Sequence, residues 1–157
     1  MSAIPRALLL SLLLTGCVGT REGTYAAHGA DLATTGVGLA MGAAEANPLG
    51  IVALPIKLAM VEYAGSLPPD EQPAAYAALA AVTWGAVANN ICVIASILAS
   101  AGIAAPACVA VGAVTGVAYW GATKTHREGQ QLYAYCAEPA RGYSGRACAG
   151  RMVIEDN

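Results

Sequence analysis

The chain has 157 residues, of which 57% are hydrophobic and 11% charged, with no phenylalanine and a formal net charge of −2. A charged share below half of the roughly 25% usual in soluble domains marks a membrane-associated composition, and the length allows one domain. No basic patch is present, so nucleic acid is not an expected partner.

In chain order, Arg6 supplies a positive start and Ala7 to Leu14 form an apolar run broken by Ser11. The run is too short to span a bilayer and has the form of a secretory signal core. It ends in Leu14-Thr15-Gly16-Cys17, a branched apolar residue, two small residues and a cysteine. These four residues resemble the lipobox of bacterial lipoproteins. The resemblance implies that residues 1–16 are cleaved off as a lipoprotein signal peptide and that Cys17 carries a thioether diacylglycerol, with a further acyl chain, such as palmitate, on the new amino terminus. Those covalent acyl chains are the one prosthetic group expected; no other cofactor and no metal is. Two or three chains anchor a protein far more firmly than a single one.

Residues 17–30 then read as a lipidated tether, 31–124 as an Ala/Gly-rich helical membrane domain and 125–157 as a polar tail. Within the domain, a first helix is expected from Asp31 to Ala46, stopped by Pro48. A second apolar segment, Leu49 to Gly65, is interrupted by Pro55, Lys57 and Glu62. The run from Ser66 to Pro73 is polar and Pro-rich and reads as an exposed loop. Ala74 to Ser100 is long enough to cross a bilayer, Ala101-Gly102 marks a turn, and Ile103 to Ala122 is uncharged throughout. The expected fold is therefore all-α, with about four helices in membrane-embedded hairpins and a small irregular tail. In that arrangement Tyr25, Tyr63, Tyr76, Tyr119 and Trp120 gather at one end, as an interfacial aromatic belt would.

Asp31, Thr34 and Thr35, followed by Glu45, Asn47, Pro48 and Leu49, spell Asp-x-x-Thr-Thr and then Glu-x-Asn-Pro-Leu. Over residues 31–65 this resembles a group of small uncharacterised bacterial and archaeal membrane proteins with that signature on their first helical hairpin. The resemblance implies membrane embedding and brings no activity with it.

A carboxylate within a bilayer needs a partner or water, and Lys57 is the only basic residue inside an expected span. Glu45, Asp31 and Glu62 are its possible partners, in an ion pair that holds the first hairpin together. Asn89 and Asn90 must face another helix, because hydrocarbon cannot satisfy an amide. Gly38 with Gly42, and Gly112 with Gly116, form small-x-x-x-small faces suited to tight packing within one molecule or between copies.

Export permits disulfides, and lipidation of Cys17 leaves four of the five cysteines free to pair. Cys136 and Cys148 are expected to bridge, since the polar tail has little else to hold it. Cys92 and Cys108 lie equidistant from the Gly102 turn, at one height on antiparallel helices; they can pair, but packing as small hydrophobes is expected, on the side away from periplasmic oxidation. His28 and His126 lack the companions a metal site needs. No Gly-x-Ser-x-Gly, His-Glu-x-x-His or phosphate loop occurs.

The expected function is that of a lipid-anchored cell-envelope protein of bacterial or phage origin with a structural or interaction role, such as envelope assembly or exclusion of phage or plasmid entry. Its partners would be membrane lipid, other envelope proteins or further copies of itself. The alternatives are a small oligomeric channel or transporter-like protein, using the intramembrane acids and Lys57, and an intramembrane enzyme. It would face the periplasm, with the inner membrane favoured slightly over the outer.

Overall fold

A computed structural model describes residues 18–43 and 49–137. The regular structure among them is helical: α1 Arg21–Ala40, α2 Leu49–Ser66, α3 Gln72–Ser100, a 3-10 turn at Ala105–Ala107, α4 Cys108–Ala122 and α5 Lys124–Ala137. The all-α class expected from the sequence is thus observed. The expected signal peptide, Cys17, Glu45, Asn47 and Cys148 lie outside the described residues.

Two stretches differ from their sequence reading. The segment read as a loose tether is helical from Arg21, because Thr20 accepts a hydrogen bond from the Gly23 amide (3.1 Å) and so caps the first turn, where Glu22 meets the positive helix end. The polar tail, read as irregular, continues as α5 to Ala137. Arg127 accounts for its start: its guanidinium donates to the Trp120 carbonyl (3.1 Å) and lies 3.5 Å over the Trp120 ring, fastening α5 to the end of α4.

Helix α1 also stops earlier than Pro48 would require. The Gly42 amide bonds the Leu39 carbonyl and the Ala43 amide bonds the Gly38 carbonyl, each at 3.0 Å, while Gly42 adopts a φ of +83°. This is a Schellman ending, which needs a left-handed residue and so a glycine. Gly42 therefore closes the helix and does not extend a packing face with Gly38. Helix α2, by contrast, runs unbroken through Pro55.

Helix α3 touches every other helix. Thr24 meets Tyr76, His28 meets Thr83 and Asp31 meets Asn90, so α1 runs parallel to α3 along residues spaced seven apart, which share one face. On the other side of α3, Gly85 lies against Gly112 and Ala81 against Gly116, so α4 runs antiparallel. A Cβ on Gly112 would stand 2.7 Å from the Gly85 carbonyl oxygen, and one on Gly85 would stand 2.8 Å from that of Gly112. The backbones approach so closely that only glycine fits at either position. Farther along, Cys92 and Cys108 are joined in a disulfide (S–S 2.08 Å, Cα–Cα 5.4 Å). They were expected to pack as unbridged hydrophobes; the glycine contact brings the helices near enough for a bridge instead.

Replacing Gly112 with alanine is expected to lower stability by about 1–3 kcal/mol, since the added methyl meets the Gly85 backbone and the Asn89 Cβ, neither of which can swing aside. Gly29 lies in α1 with nothing within 4 Å of an added Cβ. Gly29→Ala should therefore gain about 0.5–1 kcal/mol from restricted backbone freedom. Thermal unfolding of the two variants beside the parent chain reads both signs.

Candidate functional site

The chain's polar side chains converge where α1, α2 and α3 meet. Asp31 is a mostly buried carboxylate on α1, and its Oδ2 accepts from Lys57 Nζ on α2. Its other oxygen, Oδ1, accepts from Asn90 Nδ2 on α3 at 3.1 Å. That same Nδ2 lies 3.2 Å from Thr34 Oγ1 and 3.0 Å from Thr35 Oγ1. A carboxylate can only accept, so the amide must turn its nitrogen toward this cluster. One ammonium and one amide thereby satisfy the acid from two different helices. Of the three acids considered for Lys57, Asp31 is its partner, while Glu62 is engaged elsewhere and Glu45 lies outside the described residues.

His28 lies one turn away along the same face of α1. Its Nδ1 is 3.2 Å from Thr83 Oγ1, whose hydroxyl donates to the Leu79 carbonyl at 2.8 Å. With that hydrogen committed, Nδ1 carries the imidazole proton, and the buried Nε2 has no hydrogen-bond partner in the structure. Burial, followed by the charge of Lys57, pushes the imidazole below its ordinary value against the pull of Asp31, so His28 is neutral at pH 7. The sequence reading placed His28 at the edge of the domain and overlooked Thr83. The spacing of His28, Asp31 and Thr35, at i, i+3 and i+7, was the available signal for one shared face.

A second polar contact lies at the end where the chain enters α1. Arg21 Nη2 donates to both Glu62 oxygens (2.5 and 2.6 Å) and the Tyr25 hydroxyl donates to Glu62 Oε1. These groups are exposed. The Tyr25 hydrogen bond, and after it that of Arg21, holds the Glu62 carboxyl below its ordinary 4.5.

Asn89 and Asn90 part company although they are neighbours. Asn90 belongs to the cluster; Asn89 lines an open apolar groove of about 750 Å³ between α3 and α4, beside Gly85, Ala86, Gly112 and Trp120. Its Oδ1 is buried without a hydrogen-bond partner. Of the remaining cysteines, Cys136 is disulfide-bonded, and Cys148, its expected partner, lies outside the described residues. Ser96 and Ser100 lie 3.4 Å apart, and Ser100 donates to the Ser96 carbonyl, a back-bond to the preceding turn near the end of α3 that supplies no base to activate either hydroxyl. Among the described residues no group of three or more His, Cys, Asp or Glu side chains is placed to hold a metal.

Chemically, the cluster is a charge pair made tolerable by an amide and two hydroxyls, with a neutral histidine nearby. It can pin three helices together, and it offers groups able to carry a proton. Comparisons with protein-family models, with curated proteins and with solved structures give no match for this chain.

The two asparagines should respond oppositely to substitution. Asn90→Leu removes a hydrogen bond to a charged group and is expected to destabilise by about 1.5–3 kcal/mol. Asn89→Ala removes an amide whose oxygen is already unsatisfied and should lie within about 0.5 kcal/mol of the parent; denaturant unfolding of both variants checks the contrast. At the Glu62 contact the folded pKa is the lower one, so its stabilisation is complete above about pH 4.5 and disappears as pH falls through the folded value. The stability difference between the parent and Glu62→Gln, present at pH 7, should shrink steadily in unfolding curves taken below pH 4.5.

Proposed function

We propose that this chain is an exported, lipid-anchored component of the bacterial cell envelope, facing the periplasm and associated with a membrane. Its role is structural or interactive, not catalytic. The observation that carries this reading is an apolar outer surface on a charge-free stretch. From Pro73 to Thr123 there is no Asp, Glu, Lys, Arg or His. Along it Val82, Leu98, Ile103, Val109, Val114 and Val117 are each between 67% and 84% exposed. A bundle surrounded by water would expose far less contiguous apolar surface. Two segments, Gln72–Ser100 and Ala105–Ala122, are long and apolar enough to cross a membrane. The Leu14 to Cys17 motif supports the anchor, and the exposed aromatic side chains Tyr25 on α1, Tyr63 on α2 and Trp120 on α4 support one interfacial end, whereas Tyr76 is buried in the bundle.

Envelope assembly and exclusion of competing phage or plasmid entry both fit such a protein. Gly112 and Gly116 pack against α3 within one chain and also line the groove beside Asn89, so self-association or docking of another envelope protein would use that groove. A second reading, a small oligomeric channel or transporter-like protein, is favoured by the buried Asp31 and His28 lying close to the half-buried Lys57. Ion flux into liposomes that is lost in Asp31→Asn would support it.

Metabolic labelling with palmitate tests the main reading. Label is expected on the parent chain and its complete loss in Cys17→Ser; an unlabelled parent, or a labelled Cys17→Ser, would overturn the lipoprotein assignment.

A further inference from the structure

The Cys92–Cys108 disulfide lies at the wrong end of the bundle for a protein that leaves its turn in the cytosol. The end that carries Val18, Tyr25 and Tyr76 is the one joined to Cys17, and on the lipoprotein reading it faces the periplasm. Cys92 lies sixteen residues farther along α3 than Tyr76, or about 24 Å at 1.5 Å per residue. Against a hydrocarbon thickness of about 30 Å, this depth corresponds to the inner leaflet of a membrane entered from the periplasmic side. If α3 and α4 were inserted as ordinary spans during export, the turn at Ala101 and Gly102 would remain cytoplasmic. Both thiols would then be held in a reducing compartment or in hydrocarbon.

Neither location allows the bridge to form. Its formation requires the thiolate of one cysteine, for example Cys92, to attack an external protein or small-molecule disulfide and release one thiol. The Cys108 thiolate then attacks the mixed disulfide and releases the second thiol, so that two electrons and two protons pass to the oxidant. A thiolate is strongly disfavoured in hydrocarbon, and Cys108 is 0% exposed in the folded bundle. The reaction must therefore occur while the hairpin is still in water, on an oxidising side, before α3 and α4 are closed over it.

We infer that the α3–α4 hairpin is carried wholly across the inner membrane, is oxidised in the periplasm, and only then presents its apolar face to lipid, as an already stapled hairpin. The composition of α3 permits this passage. It is rich in alanine and carries Asn89 and Asn90 near its middle, which weakens recognition as a span during export. The resident membrane is then one reached from the periplasm, which includes the outer membrane and removes the reason for favouring the inner one. This inference rests on the lipoprotein reading for the sidedness of the tether end.

The sequence provides a clean assay. No Lys or Arg occurs between Lys57 and Lys124, so trypsin releases residues 58–124 as one peptide carrying Cys92 and Cys108 and no other cysteine. Cells expressing the full chain are quenched in acid, denatured and alkylated with a maleimide, and this peptide is weighed. The expected result is no alkyl group on the peptide from ordinary cells, two after chemical reduction, and two from cells lacking periplasmic thiol oxidation. Two alkyl groups on the peptide from ordinary cells would overturn the inference, as would a bridge that persists without periplasmic oxidation. Palmitate labelling of the same cultures separates the two proposals. Label with reduced thiols defeats the export route alone; a bridge without label defeats the lipid anchor and, with it, the sidedness on which the export route rests.

Discussion

Contact between Gly85 and Gly112 sets the spacing on which the rest of the bundle depends. Two helices whose glycines admit no Cβ between them meet backbone to backbone. That closeness brings Cys92 and Cys108 within bridging distance and leaves the adjoining side chains of α3 and α4 too small to fill the surface outside the seam, so a groove remains there. It also defines the opposite side of α3. With one face given over to α4, the face bearing Tyr76, Thr83 and Asn90 is available to α1, and α2 packs directly on α3 at Tyr76 through Val61 and Ala64.

The two sides of α3 are held by different physics. Toward α4 the association is dispersion between small groups, reinforced by a covalent bridge. Toward α1 and α2 it combines a small apolar core, Val61 and Ala64 against Tyr76, with a charge and its partners, and the latter has directional requirements: Asp31 needs an ammonium from α2 and an amide from α3 at once. An acid shared in this way fixes the register of three helices that otherwise present nearly featureless Ala/Gly surfaces. Buried ionic groups contribute little net stability but can specify one arrangement among many, and a bundle built mostly of alanine and glycine has unusual need of such specification.

Much of this was legible in the residues. The helical class, the loop before α3, the turn after Ser100, an acidic partner for Lys57 and a partner on another helix for an asparagine all follow from periodicity, proline and glycine punctuation, and the penalty for isolated polar groups; that Asp31, Thr34, Thr35, Lys57 and Asn90 meet in one cluster does not. What the sequence concealed was geometric. Nothing in the adjacent pair Asn89 and Asn90 says which of them turns toward Asp31, since that depends on the angle at which α1 crosses α3. Gly42 resembled a packing residue because its spacing from Gly38 suits one, while its actual role depends on a φ of +83°. The helical start at Arg21 was marked by Thr20 and Glu22, but the polar composition of that stretch pointed to a flexible linker. The tail, read only as polar, hides a buried side chain, that of Arg127 against Trp120.

The first described residues bear on how far this protein can reach. Val18 is buried (1% exposed), and Gly19, at φ +69°, is wedged beside Pro73 and Gln130. An acyl group on Cys17 would be attached one peptide away, about 3.8 Å from the Cα of a residue already locked into the bundle. Lipoproteins with long linkers can swing their domains through the periplasm and search a volume. With Cys17 acylated as proposed, this chain would have almost no slack, so its orientation to the bilayer would be set by its own fold, and any partner would have to come to the membrane surface to meet it.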